Sequence, residues 1–227
     1  MKKAYMKMSR RHFLALIPVA LIVPPLLAGC EQGRAVSIAV VLDSTGSTMY
    51  GRAQFVEELE RLANAGYFPR NSQIALISSC SDPKLAWAGD ITQGTKVKAA
   101  LAEICSPCPC SPAAASRNTG SNPFSALEMA KAWLAKPGDK ATRRVMLIFS
   151  DLQNDADQTR TPPRTFPDPA QFDWTALEGT EVFVYGLPFF RHSTFQKAWS
   201  KLKPSPVFHQ PGEMLNAKDL KLRAGAF

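Results

Sequence analysis

Residues 36–49 read Val-Ser-Ile-Ala-Val-Val-Leu-Asp-Ser-Thr-Gly-Ser-Thr-Met. Apolar and β-branched residues dominate from Val36 to Leu42 and stop abruptly at Asp43. Ser44, Thr45 and Ser47 follow, with the single Gly46 among them. A short continuous apolar run of this kind predicts a strand buried on both faces, as in a parallel sheet. Ligands of such sheets sit beyond the carboxyl ends of the strands, where Asp43, Thr45 and Ser47 fall. One carboxylate and two hydroxyls on a tight loop make an all-oxygen donor set suited to a hard divalent cation.

Downstream, the periodicity alternates between helix and strand. Tyr50–Ala65 places Phe55, Val56, Leu59, Leu62 and Ala63 on one helical face, with Glu57, Glu58, Glu60 and Arg61 mostly on the other. Gly66 suits the stop that ends such a helix. Gln73–Ser79 reads as a second buried strand, Leu85–Trp87 as a short edge strand and Thr95–Ile104 as a helix. A further helix opens after Ser121-Asn122-Pro123 and runs to Ala135, and Arg143–Ser150 is the next buried strand, ending in Asp151. Thr159–Pro169 is proline-rich and irregular. The chain then predicts a strand at Glu181–Leu187, a helix at Ser193–Leu202, a short strand at Val207–His209 and a closing helix at Glu213–Leu222. Strands alternating with helices at this spacing predict an α/β fold with a parallel sheet.

The spacing of Asp43, Thr45 and Ser47 resembles the D-x-S-x-S motif of the von Willebrand factor type A domain, with Thr45 keeping the hydroxyl of the middle position. In that family the motif is one part of a metal-ion-dependent adhesion site, completed by two later loops. Counting back from Leu127, Ser121 falls on the family's second metal-binding hydroxyl and Asn122 on the residue after it; Thr119 takes that place if the loop shifts register. Read without the family, Ser121 is an ordinary N-cap before Pro123. Asp151 stands where the final motif, commonly T-D-G, supplies a second carboxylate, with Ser150 for the Thr and Leu152 for the Gly.

The resemblance covers 36–222, leaves 223–227 as a tail, and implies a doubly wound, mostly parallel central sheet flanked by helices, a three-layer, Rossmann-like sandwich. It implies a ligand set of Asp43, Thr45, Ser47, Ser121 and Asp151 for Mg²⁺, with Mn²⁺ or Ca²⁺ as substitutes. It further implies a module without turnover, whose ion captures an acidic group on a protein partner. Asp155 and Asp157 follow at alternate positions and read as an exposed acidic loop or a second cation site.

Three other functions share some of these residues. A type A fold that has lost its metal would serve as a structural module. The D-x-T-G-T loop of phosphoaspartyl enzymes of the haloacid dehalogenase class also resembles Asp43–Ser47, with Asp43 as nucleophile. Asp151 and Asp155 would then hold Mg²⁺, and Ser78 or Ser79 would supply the intervening hydroxyl. No Lys stands clearly at a strand end between those motifs, which weighs against that reading. A Ser–His–acid hydrolase has little support: only His192 and His209 lie beyond the leader, and G-x-S-x-G is absent.

Residues 1–29 read as an export signal. Lys2, Lys3, Lys7, Arg10 and Arg11 form a positive start without an acid, followed by an apolar run from Phe13 to Leu27. Leu27-Ala28-Gly29-Cys30 resembles a bacterial lipobox, in which Cys30 carries the lipid; Cys30–Ala35 is then a short linker at the membrane surface. The alternative is a membrane-spanning anchor, but the run falls short of the ~20 residues a span needs and is broken by Pro18, Pro24 and Pro25. Ser9-Arg10-Arg11-His12-Phe13-Leu14 resembles a twin-arginine export signal, the alternative being an ordinary positive start. The expected location is the outer side of a bacterial membrane.

Without the five cations of 1–29, the formal net charge of +8 falls to +3. No basic stripe interleaved with aromatics remains, so a nucleic-acid partner is not expected. The residues from Cys30 onwards suffice for one well-cored domain. Four further cysteines, Cys80, Cys105, Cys108 and Cys110, read in an oxidising compartment as two disulfides. Cys108 and Cys110 are too close in sequence to pair easily, which favours Cys80 with one of them and Cys105 with the other. A thiolate zinc site is the alternative, although the spacing is not a standard zinc pattern.

Overall fold

Val36–Leu42 forms β1 near the middle of a six-stranded sheet. The computed structural model describes residues 34–45, 48–105, 121–136, 143–154 and 165–221. The leader, Cys30, Ser47, Cys108, Cys110, Thr119, Asp155 and Asp157 lie outside them, as does the side chain of Cys105.

In chain order the elements are β1, α1 (Met49–Asn64), β2 (Gln73–Ser78), β3 (Lys84–Asp90), α2 (Gly94–Cys105), α3 (Pro123–Leu134) and β4 (Arg143–Phe149). Two short 3₁₀ turns follow, at Pro169–Gln171 and Thr175–Leu177. The last elements are β5 (Glu181–Tyr185), α4 (Phe189–Ala198) and β6 (Val207–Phe208). The strand order is β3-β2-β1-β4-β5-β6. Every pairing is parallel except β2 with β3.

Alternation along β1 explains the two layers of helices. Val36, Ile38, Val40 and Leu42 join a core with Phe55, Leu59 and Leu62 of α1 and Val97, Leu101 and Ile104 of α2. Ala39 and Val41 point the other way, into a core with Ala126, Leu127 and Ala130 of α3 and Phe195 of α4. A strand buried on both faces needs apolar residues at successive positions, which is why its sequence reads as a run. Each fully buried Val, Leu or Ile contributes about 1.5–3 kcal/mol. The sheet is therefore doubly wound, as the resemblance implies.

This order creates a crevice. Successive strands β1 and β2 are neighbours on one side, whereas β1 and β4 are neighbours on the other. Chains leaving β1 and β4 thus depart to opposite faces and open a gap beyond their carboxyl ends. The ladder continues one residue past the strands: Asp43 N donates to Phe149 O (2.8 Å), Ser79 N to Leu42 O (2.8 Å) and Ser150 N to Tyr185 O (3.0 Å). Those bonds fix Asp43, Ser79 and Ser150 at the rim of the gap.

Gly66 adopts φ +68 just past α1, the left-handed stop expected of it. Other expectations require correction. The edge strand β3 runs over seven residues, further than Leu85–Trp87. Helix α4 spans Phe189–Ala198 instead of Ser193–Leu202, because Pro188 caps its start and Trp199 and Leu202 are buried from the turns that follow. The expected closing helix at Glu213–Leu222 is a series of turns in the described residues, to 221. There Asn216 and Asp219 bond each other, Asn216 Nδ2 to Asp219 Oδ2 (2.5 Å) and Asp219 N to Asn216 Oδ1 (3.0 Å). Such local side-chain bonds compete with a helix, and Leu215 and Leu220 reach the core without one. No described helix is long and apolar enough to cross a membrane.

Candidate metal centre

Asp43 is fully buried at the end of β1, and both its oxygens are engaged. Oδ1 accepts the amide of Thr45 (2.9 Å) and the Thr45 hydroxyl (2.7 Å). Oδ2 accepts Ser150 Oγ from the end of β4 (2.7 Å) and Ser121 Oγ from the start of α3 (3.2 Å). Three loops far apart in sequence thus converge on one carboxylate. The Asp43 carbonyl accepts Thr48 Oγ1 (3.0 Å) and Arg52 Nη1 (3.3 Å), which ties the loop to the first turns of α1.

Burial pushes the Asp43 carboxyl above its usual value; the bonds from Thr45 and Ser150 pull it down, and the charge of nearby Asp151 raises it further. Hydroxyl donors stabilise a carboxylate without neutralising it.

Ser121 is not the helix cap. Asn122 fills that role, its Oδ1 accepting Ser125 N (3.1 Å), with Pro123 opening the helix. Ser121 is instead placed by an isolated antiparallel bridge to Cys80, and its hydroxyl is within reach of both Asp43 Oδ2 and Ser79 O (3.2 Å each). Through that bridge Cys80 adjoins the loop cluster, with its Sγ 3.1 Å from Asp82 O.

Asp151 is buried, with Oδ1 accepting Gln153 N (2.9 Å). Leu152 replaces a glycine of the resembled motif, yet adopts the left-handed φ of +54 that a glycine would take. A non-glycine residue there costs about 1–2 kcal/mol. The fully buried Leu152 side chain in the α3–α4 core offsets that cost. Arg191 of α4 holds the turn from outside, donating to Asp151 O (2.7 Å) and Leu152 O (3.4 Å).

The structure therefore brings together Asp43, Thr45, Ser121 and Asp151 of the sequence-derived set. It adds Ser150, Thr48, Arg52 and Arg191, which that set omits. Ser150 carried a signal, since it stands at the Thr position of the final motif. The two arginines carried none, because each acts through a main-chain carbonyl. Among the described residues no cluster of three or more His, Cys, Asp or Glu side chains is placed to hold a metal; here two carboxylates are supplemented by hydroxyls.

No family model matches the chain, and no curated protein sequence does. Solved structures do. The PilB minor pilin from Streptococcus sanguinis is similar with a TM-score of 0.54 at 12% identity, over 83% of this chain and 59% of the pilin. BatB, a conserved hypothetical protein from Bacteroides thetaiotaomicron, gives 0.53 at 14% identity over 82% of this chain and 95% of its own. Proximal thread matrix protein 1 from the mussel byssus, with a zinc-occupied metal-ion-dependent adhesion site, gives 0.51 at 13% identity over 78% and 44%. The fold is of the von Willebrand factor A type. This chain spans 59% and 44% of the pilin and byssus chains, so the type A fold is what the likeness carries.

Proposed function

We propose that the chain is a type A interaction module that holds one divalent cation beside Asp43 and presents it to an acidic group on a partner protein. The observation that supports this reading is the fully buried Asp43 carboxylate, met by hydroxyls from three loops and by the Thr45 amide, while Asp151 adds a second negative charge nearby. A buried acid pair without a cation calls for one, and the hydroxyl oxygens keep lone pairs to offer it. Asp43, Thr45, Ser121 and Asp151 would hold the ion, together with Ser47 from outside the described residues. The donor set suits Mg²⁺, Mn²⁺ or Ca²⁺, and the ion supplies Lewis acidity toward an incoming carboxylate. The fold also accommodates zinc at this kind of site in the byssus protein.

Binding without turnover is part of the proposal. Asp43 has no exposed surface, which favours a ligand over a nucleophile. The module would act at a bacterial envelope, exported by its leader, lipid-anchored at Cys30 and tied by disulfides of Cys80 and Cys105 with Cys108 and Cys110. Thermal denaturation with Mg²⁺ and with chelator tests the ion. At a hundred times its Kd, Mg²⁺ adds about 2.7 kcal/mol to stability. Asp43→Ala is expected to abolish the shift and Ser121→Ala to reduce it. Identical melting of the wild-type chain with and without Mg²⁺ or Mn²⁺ would leave the metal-free structural module as the better reading.

A further inference from the structure

Among the described residues few large apolar side chains are exposed, and two of them are adjacent. Phe189 is 67% and Phe190 79% exposed, at the first turn of α4. We propose that this pair, with Arg52 and Arg191, forms a docking surface for a protein segment that carries a carboxylate next to a large apolar side chain. The acidic half of that partner rests on the metal reading above; the apolar half does not.

Placement comes first. β5 runs parallel to β1 and β4, so the turn after it emerges at the same end of the sheet as Asp43 and Asp151. Gly186 takes φ +78, Leu187 returns to the core, and Pro188 starts α4. Arg191 follows Phe190 directly, with Cα atoms ~3.8 Å apart, and its guanidinium bonds the carbonyl of Asp151. The pair therefore stands within one residue and one arginine side chain of the candidate metal centre.

Its exposure is not the looseness of a free turn. The buried His192 ring bonds Leu187 O through Nε2 (3.0 Å), and Arg191 lies over the Phe195 ring at 5.4 Å. The first turn of α4 is thus tied to the residues before and after it in the chain, and by Arg191 to the Asp151 turn, while the two phenylalanines stay exposed. Adjacent exposed aromatics beside arginine are the composition of an interface centre.

Charge selects the partner. Arg52 and Arg191 donate to the carbonyls of Asp43 and Asp151, and neither has an ion-pair partner among the described residues. Two guanidinium groups without an ion-pair partner among the described residues, standing beside a cation site, favour an incoming carboxylate. The aromatic pair then meets whatever flanks that carboxylate, and an apolar flank gains most by burial there.

Selection of random peptides displayed on phage, against the full chain in Mn²⁺, tests this. The expected consensus is an acid within two residues of Leu, Ile, Phe or Trp. A Phe189→Ser/Phe190→Ser double variant should keep the acid preference and Mn²⁺ binding, lose the apolar preference, and bind a synthetic consensus peptide about thirtyfold more weakly. An acid consensus without an apolar neighbour, no consensus from Mn²⁺-loaded protein, or equal affinity in the double variant would each overturn the inference. So would a dimer in sedimentation that the double variant dissolves, since a second copy would then cover the patch. A wild-type consensus that persists unchanged in chelator would contradict the metal reading alone.

Discussion

The two ends of the central sheet both carry carboxylates, and the chain treats them differently. At the amino end, Glu181 of β5 accepts Arg143 of β4 through two bonds, Nε to Oε1 (2.5 Å) and Nη2 to Oε2 (2.9 Å), and Lys221 Nζ lies 3.0 Å away. Arg143 holds the Glu181 carboxyl below its usual value, with Lys221 adding to the effect. At the carboxyl end, Asp43 receives hydroxyls and an amide, and burial pushes its carboxyl up. Arginines are present at that end too, yet Arg52 and Arg191 donate to main-chain carbonyls. The contrast separates a structural acid, which comes with its counter-ion, from acids whose counter-ion the described chain does not supply.

Substitutions that sharpen this contrast differ in size. The largest effect is expected where the carboxyl-end loop is anchored by apolar burial. Leu152→Ala removes a fully buried side chain while keeping the left-handed turn, so a loss of about 2–5 kcal/mol is expected in urea denaturation. A loss below ~1 kcal/mol would mean that Arg191, and not the core, holds the Asp151 turn.

At the amino end the effect is smaller. Arg143→Ala leaves Glu181 with Lys221 alone, and a loss of about 1 kcal/mol is expected at pH 7 for this partly exposed pair. Its pH dependence has a defined sign. Glu181 has a folded value below its ordinary 4.5, so its contribution is present above that value and fades as pH falls through the folded value. The difference between wild type and Arg143→Ala should therefore narrow below pH 4.5 and be insensitive to Mg²⁺. A difference that widens in acid would reverse the assignment.

How much of this was legible in the sequence depended on range. The strands at the sheet centre read directly, because burial on both faces writes a continuous apolar run at Val36–Leu42 and Arg143–Phe149. Asp43 and Asp151 stood out because each ends such a run. Ser150 was legible only as the stand-in for the Thr of the final motif; its bond to Asp43, 107 residues away, is supplied by the pairing of β1 with β4. The glycine-like turn at Leu152 was hidden by its residue type, and only the buried side chain explains why it persists. The start of α4 was misplaced because Phe189 and Phe190 are exposed, so its first turn lacks the apolar face by which a packed helix is read. The segment after Glu213 carried apolar spacing suggestive of a helix, but Asn216 and Asp219 bond each other locally.

The account turns on whether a cation occupies the centre around Asp43. Electron paramagnetic resonance of Mn²⁺ titrated into the purified chain counts bound ions directly, because bound and free Mn²⁺ give distinct spectra. One Mn²⁺ per chain is expected, displaced by excess Mg²⁺, lost in Asp43→Ala and retained in Arg143→Ala. A wild-type chain that leaves all Mn²⁺ free, or an Asp43→Ala chain that binds one ion as the wild type does, would contradict it.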